Sequence, residues 1–151
     1  MKKVLFIVAI LLLTTTSIFA NEGKLKAGVI LGYPTGLTAG WRPSDAFELN
    51  FIVASHYRDF TIGLSPMFTI ATPDIEGERF PISVGPAVYL DIDWFGGLDL
   101  DILGQVRMEY TFRDIPLNLF IEGGLGVKLD FDGVRLLYFH GSGALGIRYV
   151  F

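Results

Sequence analysis

The sequence predicts an all-β chain, an eight-stranded antiparallel up-and-down transmembrane β-barrel. Three observations lead there. From Lys24 to Phe151 apolar and polar residues alternate with period two, and clusters of Pro, Gly, Asp and Ser break the pattern at regular intervals. The 18 Gly and the 14% aromatic content point to strands, and after the N-terminal segment no stretch approaches the ~20 apolar residues of a spanning helix. Finally, the apolar face carries aromatics near strand ends, while the opposite face mixes Gly, Ala, Ser and Thr with charges.

The strands follow in order. The first covers 24–32 and turns at Tyr33-Pro34-Thr35; the second covers 36–42 and turns at Pro43-Ser44-Asp45. The third, 46–56, passes through Tyr57-Arg58-Asp59 into the fourth, 60–71. A loop at 72–79, with Pro, Asp and Gly, leads to the fifth strand, 80–91. The sixth, 98–111, follows Ile92–Gly97; the seventh, 117–130, follows Phe112–Pro116; the eighth, 136–151, follows Phe131–Arg135. There is no second domain or long linker in this reading.

Alternation alone does not say which face is inside. A soluble lipocalin-like barrel would bury the apolar set; a membrane barrel turns it out to lipid. The second arrangement is favoured. Gly, Ala, Ser and Thr suit a crowded lumen, and several strands hold the 9–11 residues that cross a bilayer at a tilt. Trp41, Phe47, Phe80, Tyr110, Tyr149 and Phe151 gather towards one rim, and Tyr33, Phe60 and Trp94 towards the other. Two aromatic girdles mark the two lipid–water interfaces of such barrels.

The N-terminus reads as an export signal. Met1-Lys2-Lys3 is a basic n-region, Val4–Leu13 an apolar h-region of ten residues, and Ile18-Phe19-Ala20 the cleavage approach. Residues 1–20 are therefore expected to be a Sec signal peptide and 21–151 the barrel domain, in the cell outer membrane. With Lys2 and Lys3 removed, ten basic residues stand against 16 acidic ones, a net of −6 that gives no electrostatic footprint for nucleic acid. The absence of Cys excludes a lipoprotein anchor, disulfides and thiolate metal sites. The final alternation Ile147-x-Tyr149-x-Phe151 is similar to the C-terminal signal of outer-membrane barrels, which makes the barrel-assembly machinery an expected partner through Phe151, beside the outer-membrane lipids. A monomer is expected.

The segment GYPTGLTAGWRPSDAFELN, Gly32–Asn50, resembles an uncharacterised family of small bacterial outer-membrane β-barrel proteins found among spirochaetes and others, whose members carry a Gly-x-Pro-Thr-Gly-Leu-Ser/Thr run followed by a Trp. FRDIPLNLFIEGGLGVKL and GALGIRYVF look like its later blocks, so the likeness spans most of the chain after the signal. The sequence departs at Ala39-Gly40, where that family has a Lys and an aromatic. The architecture is similar to the OmpA transmembrane domain and OmpX. This resemblance implies fold and location; it brings no activity and no catalytic residues.

The charged residues of the inward face suggest a structural network. If Thr111 faces Asn118 across the turn, Arg107 falls opposite Glu122 and Asp101 opposite Lys128, both opposite-charge pairs. With Glu48, Glu109 and Arg148 they are expected to plug the lumen, because buried charges need partners and an eight-stranded barrel has room only for side chains or one small ligand. His140 and Ser142, in FHGSG, share that face and are expected to form a hydrogen-bonded lumen pair. Their spacing resembles the catalytic pair of outer-membrane lipid A deacylases, with Glu122 as a candidate orienter, but the lumen position argues against a lipid substrate. No cofactor is expected, and no metal, since His56 and His140 lie on different strands. DFDGV, Asp130–Val134, reads as a hairpin turn. An outer-membrane protein with a structural or surface role is the favoured function. A surface adhesin using loop tips such as Trp94-Phe95 and a lipid A-modifying enzyme are the alternatives.

Overall fold

Every alternating segment of the sequence is a strand in the structure, a computed structural model that describes residues 25–56, 59–131 and 137–151. The expected signal peptide, residues 1–20, lies outside the described residues, as do parts of the third turn and of the DFDGV turn. The strands are β1 (Leu25–Tyr33), β2 (Gly36–Ser44), β3 (Phe47–His56), β4 (Asp59–Ala71), β5 (Asp74–Ile75), β6 (Glu78–Arg79), β7 (Ile82–Asp93), β8 (Leu98–Thr111), β9 (Leu117–Asp130) and β10 (Tyr138–Val150). There is no helix among the described residues.

Eight of these strands close an antiparallel barrel in the order β1-β10-β9-β8-β7-β4-β3-β2. Closure runs from Lys26 opposite Val150 to Tyr33 opposite Gly143, and the Phe151 amide donates to the Leu25 carbonyl at 2.9 Å. No strand edge is left unpaired in the barrel wall. The register expected for β8 and β9 is observed, with Thr111 opposite Asn118, Arg107 opposite Glu122 and Asp101 opposite Lys128.

The differences from the sequence reading are local. The expected loop at 72–79 contains the two-residue strands β5 and β6, a hairpin tipped by Glu76 and Gly77, both at positive φ. Two consecutive positive-φ residues are what a two-residue hairpin turn requires, and Gly supplies one of them without steric cost. Phe80 and Pro81, expected to open the fifth strand, precede it, and β2 runs two residues further than expected, through a register shift between Trp41 and Ser44. Pro43 has no N–H to give the ladder, and a bulge is where a strand tolerates that.

Both ends of the barrel can now be placed. The lower end carries Leu25, Phe151, the β2–β3 turn, the segment from β4 to β7 and the β8–β9 turn; the upper end carries the other four connections. Trp41, Phe47, Phe80, Tyr110, Tyr149 and Phe151 all lie towards the lower end, as expected, and Trp94 lies at the upper end. The lower-end rings pair: Phe80 stacks on Tyr110 at 5.3 Å, Tyr149 meets Phe151 at 4.9 Å, and Phe47 meets Phe68 at 5.2 Å. Tyr33 is different. Its hydroxyl turns over the upper mouth, 3.5 Å from Asp91, and its ring meets that of His140 edge-on.

The faces separate as the alternation demands. Ile30, Ile52, Ala54, Ala87, Tyr89, Leu103, Phe120 and Ala144 form an apolar belt inside the barrel, while Leu37, Phe51, Ile62, Val106, Leu125 and Leu145 are exposed outside. Inward glycines make room for the large lumen side chains. A Cβ on Gly63 would sit 2.6 Å from Tyr89 Cε1, and one on Gly146 would strike the Phe120 ring.

Candidate functional site

The lumen is where the chain concentrates its chemistry, and period-two alternation puts it there. On β3, β8, β9 and β10 the inward positions hold Glu48 and Asn50, Arg107 and Glu109, Asn118, Phe120 and Glu122, and Arg148, all buried. These fill the lower half. Arg148 is its hub: Nη1 donates to Glu48 Oε1 at 2.8 Å and Asn50 Oδ1 at 2.7 Å, Nη2 to Glu109 Oε1 at 2.7 Å, and Nε to Asn118 Oδ1 at 3.0 Å. Arg107 donates through Nε and Nη2 to Glu122 Oε2 at 2.8 and 2.5 Å. Both guanidinium groups face the Phe120 ring, at 4.7 Å for Arg107 and 4.6 Å for Arg148, so one aromatic ring serves two cations. Gly40 opposite this hub keeps the space clear, since a Cβ there would lie 2.8 Å from Arg148 Nη1.

Two cations in this cluster were not anticipated from the sequence. Lys26 Nζ bridges Glu48 Oε2 at 2.7 Å and Glu109 Oε2 at 2.8 Å, and Arg42 reaches the same two carboxylates at 2.7 and 2.9 Å. Lys26 on β1 and Glu109 on β8 belong to opposite walls, so these contacts cross the lumen. Inward parity was the available signal for both residues: Lys26 is two steps from buried Ile30 along β1's inward face, and Arg42 follows Thr38 and Gly40 on that of β2. A middle layer joins Ser65, Gln105 and Tyr89, with Gln105 Nε2 donating to the Tyr89 hydroxyl at 2.5 Å.

The upper half is acidic. Lys128 Nζ lies 2.7 Å from Asp91 Oδ2, 3.2 Å from Asp99 Oδ2 and 3.8 Å from Asp101 Oδ1. Asp91 was also unanticipated; it takes a second hydrogen bond from Thr61 at 2.5 Å. His140 and Ser142 face the lumen here, as expected, but they are not the expected hydrogen-bonded pair. Ser142 Oγ and His140 Nε2 are buried without a hydrogen-bond partner, and the nearest acid to His140 is Asp101, at 3.7 Å, not Glu122. In the β9–β10 register, Ser142 sits opposite Gly124 and His140 opposite Gly126, while Glu122 is held by Arg107.

The nine expected lumen residues thus separate into two groups. Glu48, Arg107, Glu109, Glu122 and Arg148 form the lower cluster; Asp101, Lys128, His140 and Ser142 sit above it. No group of three or more His, Asp or Glu arranged to hold a metal ion occurs among the described residues. Comparison of the chain with family models, with curated proteins and with solved structures gave no match.

Proposed function

We propose that the chain is an integral outer-membrane β-barrel protein with a structural or surface role and a closed lumen. The inverted polarity of the barrel carries this reading: buried ion pairs lie inside, and every wall strand carries exposed large apolar side chains on its outward face. In water such a surface would be far larger than the apolar patches that soluble monomers show. In lipid it is the favoured surface, and the closed ladder satisfies the backbone groups that hydrocarbon cannot. On β9 the outward set runs from Leu117 to Leu129, a height of about 31 Å at the usual tilt, enough to cross a hydrocarbon core. The resemblance of Gly32–Asn50 to small spirochaete-type outer-membrane barrels and the signal-like residues 1–20 support the same location.

Cell fractionation tests this reading. The mature protein is expected in the outer-membrane fraction, released only by detergent, and migrating differently on gels before and after heating. Recovery as a detergent-free periplasmic protein would overturn it. A second reading, surface binding through the loop tips, draws on Trp94 and Phe95, which are 71% and 86% exposed at the upper end. Ligand capture by intact cells that is lost on replacing both with Ser would favour it.

A further inference from the structure

The upper mouth has a charge pattern that folding alone does not explain. On three neighbouring strands the inward positions nearest the mouth are all aspartate: Asp59 on β4, Asp91 and Asp93 on β7, Asp99 and Asp101 on β8. The register sets like charges directly across from each other, Asp59 opposite Asp93 and Asp91 opposite Asp99. Directly opposed like charges destabilise a sheet. Among the described residues Lys128 is the one lysine or arginine that faces this group.

A second observation is independent of the count. The Asp101 side chain is 0% exposed, yet neither of its carboxylate oxygens has a hydrogen-bond partner. Among the described residues the Lys128 ammonium and the His140 imidazole stand 3.8 and 3.7 Å from it, beyond hydrogen-bond reach. A buried carboxylate lacking hydrogen bonds is costly, and among the described residues none supplies the donor that this site calls for.

We propose that the upper mouth is a blind acidic well that binds a ligand carrying two or more amine groups. Lys128 shows the fit: its ammonium already lies among Asp91, Asp99 and Asp101, and a second ammonium at the mouth would meet Asp59, Asp93 and Asp101, none of which Lys128 holds within hydrogen-bond distance. Chelation of a metal ion fits less well, because the described carboxylates do not converge in a chelating set. The well is closed below by Tyr89 and Leu103, both buried, so the ligand is held and not conducted. Apolar walls concentrate the field of charges in such a recess. The inference does not depend on membrane insertion, since the well belongs to the barrel itself.

The test is calorimetric titration of the refolded full chain in zwitterionic micelles with spermidine, and separately with calcium. Spermidine is expected to bind with Kd below about 1 mM at low salt and to weaken as salt screens the charges. The double variant Asp93→Asn/Asp99→Asn should lose at least about tenfold in affinity, while Glu76→Gln, on the β5–β6 hairpin at the lower end, should change nothing. The double variant removes repulsion at the rim, so it should still fold, which its heat-dependent gel migration verifies. Absence of spermidine binding, equal affinity in the folded double variant, or binding of calcium without binding of spermidine would each overturn the proposal.

Discussion

Replacing Glu122 with Gln removes one negative charge from the lower lumen while keeping the shape of the side chain. The cluster holds four cations, Lys26, Arg42, Arg107 and Arg148, against three anions, Glu48, Glu109 and Glu122. After the change it holds four against two, and Arg107 loses both of its charge-assisted bonds to Glu122. An arginine cannot shed its proton to escape. Removing one partner of a buried pair costs about 3–5 kcal/mol. Arg107 keeps Glu48 at 3.5 Å and Glu109 at 3.9 Å, which sets the expected loss near the lower limit, about 3 kcal/mol. Arg107→Gln leaves Glu122 without its guanidinium partner and belongs nearer the upper limit. The double variant, with neither charge, should lose less than the sum of the singles by about 2 kcal/mol. The assay is urea unfolding of the barrel refolded in lipid vesicles, followed by gel migration and by the fluorescence of Trp41 and Trp94. A single-variant loss below about 1 kcal/mol, or additivity within about 0.5 kcal/mol, would refute the reasoning that this pair is a buried, coupled unit.

Other expectations follow from the same geometry. Leu125→Arg, near the middle of β9 and 64% exposed, should destabilise the bilayer-folded barrel by about 2–4 kcal/mol, with a smaller effect for Ile102→Arg, one step towards the upper end; unfolding in vesicles of both variants checks this, and full tolerance at both positions would contradict a lipid-facing wall. Phe120→Ala removes the ring between Arg107 and Arg148 and should cost about 3–5 kcal/mol, read by the same unfolding assay. Gly63→Val drives a side chain into the Tyr89 ring and should cost about 1–3 kcal/mol, with the loss reduced when Tyr89 is replaced by Ala in the same molecule.

The parts of this molecule that the sequence reveals are those set by local rules. Period-two alternation assigns each side chain a face, and a short turn with known partners fixes a register; this is why Arg107–Glu122 and Asp101–Lys128 were legible from Thr111 and Asn118 alone. Contacts across the lumen are of another kind. Lys26 meets Glu109 and Arg148 meets Glu48 across 83 and 100 residues of sequence. Alternation gives the face but not which walls approach at a given height, so it assigns no partners to Lys26, Arg42 and Asp91 although each sits on the inward face. His140 and Ser142 illustrate the opposite error. A two-residue spacing put them on one face, as found, but sharing a face of a strand did not bring their polar atoms into a hydrogen bond. The β5–β6 hairpin was hidden because Asp74-Ile75 and Glu78-Arg79 are too short to show any period.

The apolar outer wall is expected to face lipid all the way round. The chain has no cysteine, so single cysteines can be placed at will and labelled with a nitroxide in the vesicle-folded barrel. Suitable sites are Leu37, Phe51, Ile62, Val106, Leu125 and Leu145, one on each of six wall strands, with Ile75 on the lower hairpin as the aqueous reference. Oxygen dissolved in the bilayer should relax all six wall labels more strongly than a water-soluble nickel chelate does, and Ile75 should show the reverse. Wall labels that the nickel chelate reaches as readily as it reaches Ile75 would contradict a lipid-facing wall.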